Sequence, residues 1–130
     1  MEAIVFDRFG GPEVLRAARA EVPRPGPGQI RLRVRAAGVN PMDHKIRNGW
    51  LEHVFPTVFP AIPGVEAAGV VDEVGAEVTG LSPGDEVFAF TDSGAYAEYA
   101  LATVAALKPA GLSWDEAAAL PVAGETAQRV

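Results

Sequence analysis

At 130 residues, 48% hydrophobic and 22% charged, the chain has the size and make-up of one soluble globular domain, long enough to bury roughly two-thirds of its unfolded surface. Its net charge of −6 leaves no basic footprint for nucleic acid or an anionic membrane. With no cysteine, disulfides, thiolate zinc sites and a cysteine nucleophile are excluded, which suits a reducing compartment. The first residues show no basic segment leading into an apolar core, and no apolar run nears the ~20 residues that cross a bilayer. A cytoplasmic setting is the expectation.

Ala3 to Phe6 is β-prone and stops at the turn signal Gly10-Gly11-Pro12. Val14 to Val22 is a weaker candidate strand, because its alanines equally favour helix. Pro23 to Gly28 alternates proline and glycine too densely for anything but a turn or loop. Gln29 to Val39 is the clearest element. Ile30, Leu32 and Val34 face one way and Arg31, Arg33 and Arg35 the other, a period of two that no helix shows. The arginines read as a solvated face rather than a phosphate site.

Gly38 to Trp50 is the densest stretch for chemistry. Pro41 suits the first turn of a helix, Asn40 its N-cap, Asp43 its positive end and Asn48-Gly49 its stop. One or two helical turns over Pro41 to Arg47 follow. By spacing alone, these polar residues are caps and surface groups of a short connecting helix. Trp50 to Pro63 carries Trp50, Phe55 and Phe59 among prolines at 56, 60 and 63, too stiff for a helix or central strand. Such a loop is either a small satellite core or the wall of an apolar pocket.

After the Pro63-Gly64 turn, Val65 to Gly75 settles into a β-branched run, its glycines marking close backbone approach. It lacks the G-x-G-x-x-G spacing of a dinucleotide-binding loop. Pro83-Gly84 turns the chain into a strand ending near Phe90, and Gly94 to Ala102 and Val104 to Lys108 add two more. Six short strands joined by Gly/Pro turns predict a mainly β domain with short helices, an all-β barrel or partly open sandwich. Ser113-Trp-Asp-Glu116 is a capping box opening a helix. Beyond it, Val122, Ala123, Ala127 and Val130 fit one apolar helical face. That open face suggests a piece of a longer protein.

Five motifs, in order, carry a family likeness: Ala37-Gly38-Val39-Asn40-Pro41-Met42-Asp43, Pro63-Gly64-Val65-Glu66-Ala67-Ala68-Gly69, Pro83-Gly84-Asp85-Glu86-Val87, Gly94-Ala95-Tyr96-Ala97-Glu98-Tyr99 and Ala118-Ala119-Leu120-Pro121. Together they resemble the medium-chain dehydrogenase/reductases, and most closely their zinc-free quinone oxidoreductase branch, the zeta-crystallin-like enzymes. The resemblance implies a GroES-like, partly open β-barrel catalytic domain over residues 1–112. Residues 113–130 would begin the helical connection to a nucleotide-binding Rossmann domain absent from this chain. Where the zinc-dependent branch has a cysteine and a histidine, this chain has Asn40 and Val65, a poor ligand and a non-ligand for zinc. A metal-free site is expected.

The same resemblance implies hydride transfer from NADPH (or NADH) to a quinone or another α,β-unsaturated carbonyl, the protein mainly orienting the reactants. It places Asn40 beside the nicotinamide and substrate, its amide able to donate to a developing oxyanion. Lys45 is the proton-donor candidate, and Asp43 completes the catalytic set by orienting the turn. Thr126 falls near the nicotinamide ribose or amide. His44, Trp50, Phe55 and Phe59 are candidate pocket residues. Relatives are often homodimers, whereas this stretch alone is expected to be monomeric and inactive. Two alternatives stand beside this reading: an enoyl-thioester reductase of the same superfamily, and a non-enzymatic GroES-like binding module.

Overall fold

The computed structural model describes residues 1–129, which form two antiparallel sheets and three short α-helices. Strands β1 (Glu2–Val5) and β2 (Arg16–Arg19) pair with each other across a 3-10 turn at Pro12–Val14. The alternation in Gln29 to Val39 becomes β3 (Ile30–Ala37). With β4 (Glu66–Val74), β5 (Glu86–Phe90), β6 (Tyr99–Ala102) and β7 (Val104–Leu107) it makes a five-stranded sheet ordered β6-β3-β4-β5-β7. Helix α1 (Pro41–Arg47) lies in the β3–β4 connection, and α2 (Trp114–Ala118) and α3 (Leu120–Arg129) follow β7.

Strands β6 and β7 stand at opposite edges of the sheet, yet only Thr103 separates them in the chain. Two Cα–Cα steps of ~3.8 Å hold the two edges together at that corner. The sheet is therefore rolled and not flat, although its edge strands do not pair with each other. This is the partly open, mainly β barrel that the sequence predicts.

Leu32, Ala67, Val71, Val87 and Ala100 are fully buried within the roll, and truncating Leu32 to alanine would cost about 2–5 kcal/mol. Neighbours along a strand point to opposite faces, and Ala68 accordingly packs the other way, against Ala117 and Ala118 of α2. Both faces of β4 are covered here, which is why Ala67-Ala68-Gly69 are small. A Cβ at Gly69 would overlap the Arg33 carbonyl oxygen of β3. Helix α2 is thus docked on the sheet. On α3, Val122 is half-buried while Ala123 and Ala127 are exposed; Val130, the fourth member of that stripe, lies outside the described residues.

The arginine face needs a correction. Arg33 and Arg35 are exposed, but Arg31 folds down onto β4. Its Nε and Nη2 donate to the two Asp72 carboxylate oxygens, each at 2.9 Å, and Nη2 also reaches Glu73 at 3.0 Å. A planar guanidinium matches a carboxylate two bonds at a time, so a residue that alternation marks as solvated becomes a cross-strand tie. Helix α1 spans the predicted Pro41 to Arg47 and ends where Gly49 takes a φ of 81°, a left-handed conformation suited to glycine.

Candidate active site

The site begins where β3 releases the chain. A Cβ at Gly38 would overlap the carboxyl group of Glu66, so glycine there lets the backbone pass over a buried glutamate. Asn40 then takes the N-cap position with extended backbone (φ −128°, ψ 154°), and Pro41 starts α1. The Asn40 backbone N–H donates to Asp43 Oδ2 at 2.8 Å, and the Asp43 N–H donates to the Asn40 carbonyl at 3.0 Å. These bonds fix the turn, as expected of Asp43.

Three further features exceed the needs of a cap. The Tyr96 hydroxyl also donates to Asp43 Oδ2, at 3.0 Å. Burial, then the Asp43 charge, holds the Tyr96 pKa well above the ordinary phenol value. Asp43 Oδ1 is buried with no hydrogen-bond partner among the described residues, an acceptor whose need a donor group could meet. Finally, Asn40 Nδ2 donates to Glu66 Oε1 at 2.8 Å, while Glu66 Oε2 accepts the Val122 N–H at 2.7 Å from the first turn of α3. Glu66 is 3% exposed.

Two cavities flank this network. One, of about 420 Å³, is lined by apolar residues that include Phe6, Ile46, Phe55, Ile62 and Val65, together with the polar Thr91, Asp92 and Ser93. The other, of about 550 Å³, is lined by Asn40, His44, Arg47 and Tyr96. Asp43 and Pro63 belong to both. Asn40 and His44 are four residues apart, hence on one helical face.

The structure therefore brings together Asn40, Asp43, His44 and Phe55, but not the whole predicted set. Lys45 is exposed and lines neither cavity; two positions along a helix from Asp43, it points elsewhere. Trp50, 60% exposed, meets the His44 ring edge-on at 5.7 Å instead of walling a cavity. Phe59 is also absent from both linings. It packs T-shaped on Phe6 and Phe9, with centroids at 5.8 and 5.0 Å, a geometry that aromatic quadrupoles favour. Thr126 is exposed on α3 and lines neither cavity.

Glu66 and Tyr96 are the residues that sequence reasoning overlooks. Glu66 had a signal: a carboxylate leading directly into the small apolar run Ala67-Ala68-Gly69-Val70-Val71 must either break the pattern or be paired. Tyr96 had none, since its partner lies 53 positions away. Among the described residues no group of three or more His, Asp or Glu side chains is placed to hold a metal ion. Val65, which lines the first cavity, has a side chain without a ligand atom.

Residues 26–111 match the family described as the alcohol dehydrogenase GroES-like domain. A chloroplastic quinone-oxidoreductase homolog of Spinacia oleracea is 38% identical over 99% of this chain and 41% of its own length. The quinone oxidoreductase of Sus scrofa is 44% identical over 78% of this chain and 31% of its own. Among solved structures, Escherichia coli quinone oxidoreductase complexed with NADPH superposes with a TM-score of 0.88 at 35% identity, covering 97% of this chain and 39% of that one. The human synaptic vesicle membrane protein VAT-1 homolog-like protein gives 0.92 at 36%, covering 98% and 41%. The chain thus spans about 40% of the length of relatives such as the spinach protein. With its mainly β open roll, short capped helices and this match over most of its length, the chain belongs to the alcohol dehydrogenase GroES-like domain family, alongside the quinone oxidoreductases of the medium-chain dehydrogenase/reductases.

Proposed function

We propose that this chain forms the catalytic-domain part, residues 1–112 with a helical connection from 113, of a cytoplasmic NAD(P)H-dependent oxidoreductase. Its reaction is zinc-independent hydride transfer to quinones or other α,β-unsaturated carbonyls. The observation that supports this best is the cavity walled by Phe6, Ile46, Phe55 and Val65 and edged by Asp43, next to the cavity that Asn40 lines. A flat conjugated acceptor suits such walls, and the family resemblance assigns to Asn40 and Val65 the positions that carry zinc ligands in the zinc-dependent branch, where neither side chain is a good ligand.

When bound, the nicotinamide cofactor supplies the hydride. The chain's own residues exclude water and orient the acceptor. Nδ2 of Asn40 carries two hydrogens; one goes to Glu66, and the second is the donor we assign to the acceptor's carbonyl oxygen as negative charge develops there. His44 lines the same cavity and takes over from the exposed Lys45 as the proton-donor candidate. Cofactor contacts within this chain fall to Asn40 and, at the far end, Thr126.

The test is NADPH oxidation by the full-length protein with a 1,4-quinone, a simple enone and a long-chain enoyl thioester, with and without a strong chelator. Quinone turnover insensitive to the chelator is expected. Turnover confined to the thioester, or abolished by the chelator, would overturn the reading. The 130 residues alone should show no turnover and little NADPH affinity.

A further inference from the structure

Resting on that reading and going beyond it, we infer that Glu66 is a positioning residue: it fixes the amide of Asn40 in one orientation and ties it to the first turn of α3. A carboxylate only accepts hydrogen bonds. With Oε1 2.8 Å from the Asn40 amide nitrogen, a flipped amide would set two oxygens against each other. The carboxyl group cannot swing to relieve that contact. Its other oxygen accepts the Val122 N–H at 2.7 Å, the residue is 3% exposed, and the space it fills exists only because residue 38 is glycine. Three elements thus converge on one side chain: the end of β3, the cap of α1 and the start of α3. The amide that would meet the substrate oxygen is set by the strand beneath it.

Glu66→Gln tests this with almost no change of shape. The Val122 N–H belongs to the backbone and cannot turn, so the substituted side chain must meet it with its amide oxygen. The new NH₂ group then faces the Asn40 NH₂ group, and Asn40 must flip or lose its partner. A merely structural tie to α3 survives the substitution; the orientation of Asn40 does not.

In the full-length protein, Glu66→Gln should lower quinone kcat by about ten- to hundredfold, the scale of a misplaced catalytic group, with the melting temperature nearly unchanged. In an Asn40→Ala background the same substitution should change kcat less than about twofold, since residues acting through one another are not additive. Selective ¹⁵N-asparagine labelling gives a readout independent of turnover: the Asn40 side-chain amide resonances should move in Glu66→Gln. Equal losses of kcat in both backgrounds, a loss that tracks unfolding, or an unmoved Asn40 resonance would each overturn the inference. A wild-type protein inactive on quinones sinks the proposed function alone, because the resonance still reports whether Glu66 holds Asn40.

Discussion

At the start of α2, Ser113 and Glu116 exchange two bonds, Oγ accepting the Glu116 N–H at 3.1 Å and Oε1 the Ser113 N–H at 3.0 Å. Both bonds are exposed, and the Glu116 pKa is lowered first by the Ser113 N–H that its carboxylate accepts, then by the Ser113 side chain. At the start of α1, Asp43 takes the corresponding role, but its capping oxygen also holds Tyr96, its second oxygen is buried without a partner, and the Asn40 amide reaches away from the helix to Glu66. A cap needs only to satisfy the free N–H groups of a first turn. The polar capacity left over at α1, buried between two cavities, is what distinguishes a candidate site from a helix start.

That contrast can be broken from several directions. Gly38→Ala should have the largest effect. The new methyl group displaces the Glu66 carboxylate and both its bonds, costing about 3 kcal/mol or more; urea unfolding measures it, and a loss below about 1 kcal/mol would mean the carboxylate relocates freely. Asp43→Ala comes next, at about 2–3 kcal/mol, because it leaves the Tyr96 hydroxyl and the Asn40 N–H unpaired.

Tyr96→Phe should cost about 1–2 kcal/mol at neutral pH and change the response to alkali. The folded-state pKa of Tyr96 is raised, so its contribution is complete below the unfolded value of about 10 and is lost as pH rises towards the folded value. Melting curves between about pH 9 and 11, near that phenol range, should fall less steeply for the variant; parallel curves would show that Tyr96 is not linked to folding. Ser113→Ala should cost only about 1 kcal/mol and leave quinone turnover by the full-length protein unchanged. A kinetic effect there would erase the distinction between the two caps.

How far these features were legible depends on the range of the interactions that make them. The Ile30/Leu32 alternation, the Pro41 start and Gly49 stop of α1, and the 113–116 box depend on neighbours within a few positions, and the structure keeps them all. The tie from Arg31 to Asp72, the packing of Phe59 on Phe6 and Phe9, and the bond from Asn40 to Glu66 each join distant segments. No local pattern specifies them. Sequence therefore locates the helix that carries the site and points to Lys45 on it, while Glu66 passes unnoticed, because titratable residues clustered on one short helix stand out more than a carboxylate at the head of a strand. The family likeness supplied Asn40, and the strand beneath supplied its orientation.

The corner at Thr103 bears on solubility. Open sheets present two unpaired edges, and long flat edges invite strand addition by another copy. Here both edges belong to four-residue strands, Tyr99–Ala102 and Val104–Leu107, joined end to end through one residue. Neither edge offers a ladder long or flat enough to template a neighbour. A rolled sheet that never seals can thus resist edge-to-edge aggregation without completing a barrel.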